Sequence, residues 1–370
     1  MEIPAEEVIC QLALTAVPFI GPIQARILLE KYKTAKGVFS ARYDSLLKTE
    51  GIGDRAARSI KSYRDFSRDY REHAFLQTAG LNATCITDPG YPKRLLHCND
   101  APTILFRKGD AALNPPRTVA VVGTRSNSGY GREMTEALVA GLAEHQVQVI
   151  SGLAFGIDAI AHRAALHHKL STVGVLAHGL DLMYPAQHRS MADEMVRENG
   201  ALLTEFRSGT PPDRHNFPTR NRIVAGMSDA VVVIETHTRG GSMITAELAN
   251  GYNKDVFAFP GKATDSRSVG CNLLIRQNKA QLISSAEDLV EFMNWLPNPN
   301  RPGRKQRSLF AELTAEQQRI ITLLEGQVAV SIDDLNQQSG LTPGTVAQAL
   351  LGLELQNLVL SLPGKLYQLS

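Results

Sequence analysis

The chain has 370 residues, 43% hydrophobic and 21% charged, with a formal net charge of +2 at neutral pH. That length exceeds one small core and points to two or three domains of an ordinary soluble globular protein. No apolar run approaches the roughly 20 residues of a membrane span, the start Met1-Glu2-Ile3-Pro4 lacks a signal peptide's basic and apolar blocks, and four scattered cysteines form no Cys-x-x-Cys pair, so a cytoplasmic protein without membrane attachment is expected.

Residues 1–75 have helical periodicity and contain two related phrases, Val17-Pro18-Phe19-Ile20-Gly21-Pro22-Ile23-Gln24-Ala25 and Glu50-Gly51-Ile52-Gly53-Asp54-Arg55-Ala56-Ala57. Each sets an apolar–glycine turn before a helix, with an alanine four residues after the glycine, as in helix–hairpin–helix (SAM-like) units. Turn glycines of this kind can offer N–H groups to DNA phosphates, or the tandem units can pack only as a small helical domain. Glu50 and Asp54, flanking the second turn, weigh toward packing. Residues 76–116 read as a connector with short strands at Ala83–Thr87 and Thr103–Arg107 and turn signals such as Asp88-Pro89-Gly90.

From 117 to 296 strand-like and helical stretches alternate. The strand-like runs are Thr118–Gly123, Val147–Gly152, Ser171–Leu176, Ala201–Glu205, Ala230–Glu235, Asp255–Phe259 and Ala280–Ser284, with helical patterns such as Gly131–His145 and Gly156–His168 between them. This alternation predicts an α/β, Rossmann-like fold, a mostly parallel sheet with helices on both faces. Residues 76–296 are thus expected to form the central domain, connector included. Ligands of such sheets bind beyond the carboxyl ends of the strands. Gly123-Thr124-Arg125, Ser151-Gly152-Leu153, His178-Gly179-Leu180 and Gly240-Gly241-Ser242 fall at that edge, where one crevice can hold them.

Residues 297–310 read as a basic linker, with four basic and no acidic side chains. Residues 311–370 predict a winged-helix domain: helices near Ala315–Glu325, Ile332–Ser339 and Pro343–Asn357, then a hairpin of Leu358–Leu362 and Lys365–Leu369. The third of these helices carries Glu354 and no Lys or Arg. Phosphate attraction dominates DNA affinity, so protein interaction suits this domain better than DNA reading, and a transcription regulator is disfavoured.

The chemistry concentrates in two glycine-rich turns that precede helices, Gly123-Thr124-Arg125 and Arg239-Gly240-Gly241-Ser242, with Phe217-Pro218-Thr219-Arg220-Asn221-Arg222 between them in sequence. Backbone N–H groups at a helix start favour phosphate, and two arginines at a helix start are unfavourable unless an anion is present. For Arg220 and Arg222 the bland alternative is a salt bridge to Glu205 or Glu235, and the arginine that points into the crevice is the expected ligand contact. A nicotinamide site is disfavoured, because the first turn is not Gly-x-Gly-x-x-Gly and the second strand ends in Ser151-Gly152-Leu153 rather than an acid. No Walker motif is present, and Asp158 and His162, spaced i, i+4 without a convincing third ligand, read as structural rather than metal-binding. No cofactor and no metal are expected.

The ordered set Tyr91-Pro92, Val121-Val122-Gly123-Thr124-Arg125, Ser151-Gly152-Leu153-Ala154-Phe155-Gly156-Ile157-Asp158 with His162, Gly179-Leu180-Asp181 with Tyr184-Pro185, Phe217-Pro218-Thr219-Arg220-Asn221-Arg222, Gly241-Ser242-Met243-Ile244-Thr245-Ala246, Pro260-Gly261 and Gly270-Cys271-Asn272 resembles the DNA-processing protein A (DprA/Smf) family over about residues 90–285. The resemblance implies a non-enzymatic, homodimeric, cytoplasmic protein that binds single-stranded DNA, protects it and loads RecA on it during natural transformation (competence) and recombination. It maps DNA contact onto Gly123, Thr124 and Arg125, with Ser151, Gly152, Arg220, Asn221 and Arg222 lining the same pocket. Gly241 and Ser242 supply the second phosphate turn, Arg125 and Arg222 supply charge, and Phe155 or Phe217 can stack a base. Two departures are Arg239-Gly240-Gly241-Ser242, where members often have Ser-Gly-Ser, and Lys279-Ala280, where many have Gly-Ala. The competing class is a nucleotide phosphoribohydrolase-like enzyme on a related fold, for which Gly240–Glu247 is a loose analogue of the phosphate turn and Glu247 the imaginable acid.

Overall fold

All residues of Thr118–Val122, Gln148–Ser151, Thr172–Val175, Ala201–Thr204 and Ala230–Val233 are buried. Strands apolar on both faces require helices on both sides, which is why these runs read as continuous rather than alternating. The structure, a computed structural model, describes residues 4–296, 313–325, 329–356, 358–362 and 365–369. It comprises two compact units, Met1–Leu296 and Pro297–Ser370.

In the first unit nine strands form one sheet: β1 (Asn82–Cys85), β2 (Ile104–Gly109), β3 (Thr118–Val122), β4 (Gln148–Ser151), β5 (Thr172–Val175), β6 (Ala201–Thr204), β7 (Ala230–Val233), β8 (Asp255–Ala258) and β9 (Gln281–Leu282). Their order is β1-β2-β6-β5-β4-β3-β7-β8-β9. The seven strands β3 to β9 run parallel to their neighbours, whereas β1 and β2 are antiparallel additions at one edge. From β3 the chain winds outward through β4, β5 and β6, then returns to place β7 on the other side of β3. The strand order therefore reverses between β3 and β7, the position where an open α/β sheet leaves a crevice at its carboxyl edge.

Alternate residues of each strand feed two cores. Ala120, Val122, Val231 and Val233 pack with Ile223, Val224, Ala246 and Leu274 on one face. Val119, Val121, Val232 and Ile234 pack with Leu138, Leu142, Ile157 and Ala161 on the other.

Six helices between Ala5 and Thr78 build the N-terminal region around Leu14, Leu28, Val38, Leu46 and Ile60. The alanines flagged in the two hairpin phrases are equivalent in space as in sequence: Ala25 N–H donates to the Gly21 carbonyl (2.9 Å) and Ala57 N–H to that of Gly53 (3.0 Å). The Gly21 N–H, however, is committed to Gln24 Oε1 (3.2 Å). These helices are fastened to the sheet edge by polar contacts: Arg207 pairs with the fully buried Asp69 (2.8 Å), and Ser208 N–H donates to Glu72 (2.9 Å).

The second unit contains helices Ala315–Leu324, Ile332–Ser339 and Pro343–Leu355 on a core of Ile320, Leu335, Val346, Leu350 and Leu353. Its hairpin strands β11 (Val359–Leu362) and β12 (Leu366–Leu369) are joined by a short strand, β10 (Val330–Ser331), that was not legible in the sequence. Two residues carry no periodicity, so only pairing with β12 reveals it. The basic linker lies outside the described residues. Among the described residues, no helix is long and apolar enough to cross a membrane.

Candidate nucleic-acid interface

A pocket of about 290 Å³ opens at the β3–β7 reversal. Its walls are Gly123, Thr124 and Arg125 after β3, Gly152 and Ala154 after β4, and Arg239, Gly240 and Gly241 after β7, with Phe217, Arg220 and Asn221 from the Asn216–Gly226 helix. The two glycine turns, more than a hundred residues apart in sequence, meet because β3 and β7 are neighbours in the sheet.

The first turn is held from both sides. Thr124 N–H donates to the Glu235 carbonyl (2.7 Å), and the Thr124 carbonyl accepts from Ile157 N–H (3.2 Å). The Glu235 carboxylate, fully buried, accepts from the Ser128 hydroxyl (2.5 Å) and N–H (2.9 Å), which pins the start of the Gly129–Ala143 helix. Gly156 has φ +77°, and a Cβ there would run into the Thr124 carbonyl and the Arg125 backbone, so only glycine lets the turn lie this close. With its backbone so fixed, Arg125 remains exposed, its guanidinium 5.1 Å from the centroid of the Phe217 ring. That cation–π contact positions the charge without neutralising it.

The second turn leads into the Gly241–Gly251 helix, whose start has no side-chain cap. The N–H groups of that first turn have no intrahelical acceptor, so the helix end presents donors to the pocket. Ser242 Oγ donates to Thr236 Oγ1 (2.7 Å), and Asn221 Nδ2 donates to the Gly241 carbonyl (3.1 Å), tying this turn to the neighbouring helix. Arg239 is exposed and carries no ion pair among the described residues.

Arg220 is buried behind the pocket. It donates to the carbonyls of Gly152 and Val175, and its Nε donates to Asn221 Oδ1 (3.1 Å). Burial lowers its pKa to about 10, with Asp158 opposing and Arg125 adding to the shift, so it stays charged at neutral pH. Asp158 accepts from the N–H groups of Gly152 (3.1 Å) and Ala154 (3.4 Å). Burial pushes this carboxyl upward, against Arg220 and those two donors. Between Gly152 and Ala154, Leu153 is buried with φ +54°, an uncommon conformation for a non-glycine residue. The Asp158 contacts brace it.

His162, one turn from Asp158, bonds elsewhere: its Nδ1 lies 2.7 Å from Thr172 Oγ1 on β5. The Thr172 hydroxyl itself donates to the Val149 carbonyl (2.9 Å), so the ring nitrogen is the donor to Thr172. Asp158 and His162 serve two different tertiary contacts and do not pair.

The remaining candidates divide by position. Ser151 is buried and donates to the Val121 carbonyl (2.7 Å), a tie between β4 and β3 that lies behind the pocket wall. Phe155, 41% exposed, lies edge-on to His188 at 4.9 Å in an adjoining recess shared with Tyr184 and Phe217. Arg222 turns away from the pocket. It forms an ion pair with Glu205 and donates to the Asp100 carbonyl, as the salt-bridge alternative anticipated. A helix separates adjacent i, i+2 side chains by about 200°, so Arg220 and Arg222 cannot share one pocket. The structure adds Thr236, His237, Arg239 and Thr245 as wall residues. Arg239 carried a signal in its glycine turn; the others had none.

Comparison with known proteins accords with this architecture. Residues 82–294 match the family model of DNA recombination-mediator protein A, and residues 305–365 match that of the DprA winged helix domain. A putative DNA processing protein DprA of Mycobacterium tuberculosis is 38% identical over 320 residues, covering 83% of this chain and 82% of that protein. The X-ray structure of DNA processing protein A from Streptococcus pneumoniae superimposes with a TM-score of 0.66 at 32% identity, over 79% of this chain and 98% of that one. A structure of the Helicobacter pylori protein, which describes its single-stranded-DNA binding mode, gives 0.53 at 29% identity, over 58% of this chain and 95% of that one. A shared sheet, shared flanking domain and identity of this extent make the chain a member of the DNA recombination-mediator protein A (DprA/Smf) family.

Proposed function

We propose that the chain binds single-stranded DNA in the β3–β7 pocket, with Arg125 as the central phosphate contact. The observation that carries this reading is a pocket with two exposed arginines, Arg125 and Arg239, a buried arginine behind them and an uncapped helix start. Among the described residues the one carboxylate in its wall, Asp158, is already bonded to backbone donors. Gly123, Thr124, Gly152, Asn221, Gly241 and Ser242 shape the phosphate seat. Phe217 and Phe155 offer π faces at the rim, which suits bases that are not paired. Ser151 and Arg222 act as supports, Arg222 through Glu205.

In this reading the protein shields incoming single strands and loads RecA on them during transformation, and works as a homodimer whose two pockets gain affinity from one strand. Non-enzymatic action fits better than the phosphoribohydrolase alternative. Glu247, the acid that alternative needs, is 59% exposed outside the pocket and 3.7 Å from Lys279.

The test is binding of a single strand of about 50–60 nucleotides and of its duplex across a salt series, with wild type and Arg125→Ala. The expected result is preference for the single strand and a decline of about 0.7 in log affinity per log salt for each phosphate contact. Loss of roughly 1–3 kcal/mol is expected in Arg125→Ala, as for a charge-assisted contact. Unchanged binding by folded Arg125→Ala would sink the pocket assignment, and release of free base from a nucleoside monophosphate would favour the enzyme.

A further inference from the structure

The recess beside the pocket is built around aromatic rings rather than charge. Phe155, Tyr184 and Phe217 line it together with Arg125, and none of its described lining residues is a carboxylate. Arg125 and Phe217 line the pocket as well, so recess and pocket form one surface. Tyr184 follows β5, which lies two strand intervals from β3, roughly 10 Å at about 4.8 Å per interval. The surface therefore runs from the β3–β7 reversal across β4 toward β5.

The loop that carries Tyr184 is held by buried groups. His178, 1% exposed, accepts the Tyr184 N–H at Nε2 (3.2 Å), so its Nδ1 carries the proton and donates to the Gly179 carbonyl (2.9 Å). The His178 carbonyl accepts from the Thr204 hydroxyl on β6 (2.9 Å), and Gly179 N–H donates to the Thr210 carbonyl (3.0 Å). Both ring nitrogens of a buried histidine are thus spent on fixing the backbone that leads to Tyr184. The side chain so fixed stays 44% exposed, and its hydroxyl makes no hydrogen bond among the described residues. Packing alone would favour burying that ring. A fixed backbone with the ring left in solvent is the arrangement of a contact residue.

Arg125, Phe217 and Tyr184 form a continuous run of contacts. The Arg125 guanidinium lies 5.1 Å from the Phe217 ring centre, and the Tyr184 ring centre lies 6.1 Å from it with the planes tilted by 54°. A base sandwiched between two rings needs them parallel and about 7 Å apart, twice the stacking distance of about 3.4 Å. These rings are too close and too divergent for that, so each offers a face to a different base. A single strand with a phosphate at Arg125 meets Phe217 first and Tyr184 next.

We propose that Tyr184 is a second base-stacking residue for the single strand, positioned by His178. It takes the unpaired base beyond the one at Phe217 and extends the footprint toward β5. The inference rests on the single-stranded-DNA reading of the β3–β7 pocket.

Binding of a twenty-nucleotide oligothymidylate, and of an equally long strand of abasic deoxyribose phosphates, separates stacking from charge. The full chain is used as wild type, Tyr184→Ala, Tyr184→Phe and Arg125→Ala. Tyr184→Ala is expected to bind oligothymidylate about fivefold to tenfold more weakly with an unchanged salt slope, whereas Arg125→Ala should reduce the slope by about 0.7. Tyr184→Phe should keep the wild-type affinity, and on the abasic strand Tyr184→Ala should equal wild type. Unchanged oligothymidylate affinity in Tyr184→Ala, with Arg125→Ala impaired, would overturn the second stacking residue and leave the pocket reading intact. An equal loss on both strands would make Tyr184 a support of its loop and overturn stacking. A loss in Tyr184→Phe as large as in Tyr184→Ala would make the hydroxyl the contact and overturn it as well. Failure of wild type to bind either strand would overturn both readings.

Discussion

Acidification should destabilise the central unit through His162, a fully buried residue outside the pocket wall. The imidazole is fully buried with Nδ1 bonded to Thr172, and burial, with added repulsion from His188 and Arg220, lowers its pKa from 6.5 to about 3. The folded chain therefore refuses a proton that the unfolded chain accepts. Stability from this group is complete above pH 6.5 and is lost as pH falls toward the folded value. At pH 5 the unfolded imidazole is more than nine-tenths protonated, and the linkage relation gives a loss of about 2 kcal/mol relative to pH 7.5. Any folded value well below 5 gives nearly the same loss. Against a total stability of about 5–15 kcal/mol, that is large enough to measure. Trp295 is the only tryptophan and packs, partly buried, against the core that contains Val121, Leu138 and Leu289, so its fluorescence during denaturant unfolding reports this unit alone. The difference between wild type and His162→Gln should change by about 2 kcal/mol between those pH values. Parallel curves for the two proteins would refute the buried neutral histidine.

Glu205 should behave with the opposite sign. Burial raises it from 4.5 to about 6 despite Arg222, so its stabilising contribution is full below pH 4.5 and lost as pH rises through 6; Glu205→Gln should flatten that part of the stability profile, and an unchanged profile would contradict the burial of the carboxyl. Gly156→Ala removes no functional group, yet its methyl would meet the Thr124 carbonyl at φ +77°. It should cost roughly 1–3 kcal/mol in stability and weaken single-strand binding by displacing Arg125, whereas Gly251→Ala, where a Cβ meets nothing within 4 Å, should do neither. Equal effects of the two substitutions in melting and binding assays would refute the tight-turn argument. Cys10, Cys85, Cys98 and Cys271 are all buried and free, so a thiol reagent should label the native protein slowly and completely only after unfolding; rapid native labelling of any one would contradict its burial.

The sequence by itself determined the parallel sheet and much of the site. Val119–Val122 and Val231–Val233 could only be strands covered on both sides, because every residue in them is apolar and not just each alternate one. Gly123-Thr124-Arg125 and Arg239-Gly240-Gly241-Ser242 were legible because turns that precede helices need glycine and expose donors, both local properties. Tertiary structure alone decided which turns meet. Strand order places β7 beside β3, and no local preference encodes the neighbour of a strand more than a hundred residues away. It also decided between the two arginines of Arg220-Asn221-Arg222. Helical geometry requires them to diverge, but which one faces the pocket depends on how the Asn216–Gly226 helix is rotated against the sheet, and that rotation is set by burial of Ile223 and Val224. His162 and Asp158 show the same limit. Their i, i+4 spacing permits a pair on one helix face, whereas Thr172 on a neighbouring strand and the Gly152 and Ala154 amides hold them instead, because a buried polar atom is satisfied by whichever partner folding brings within reach.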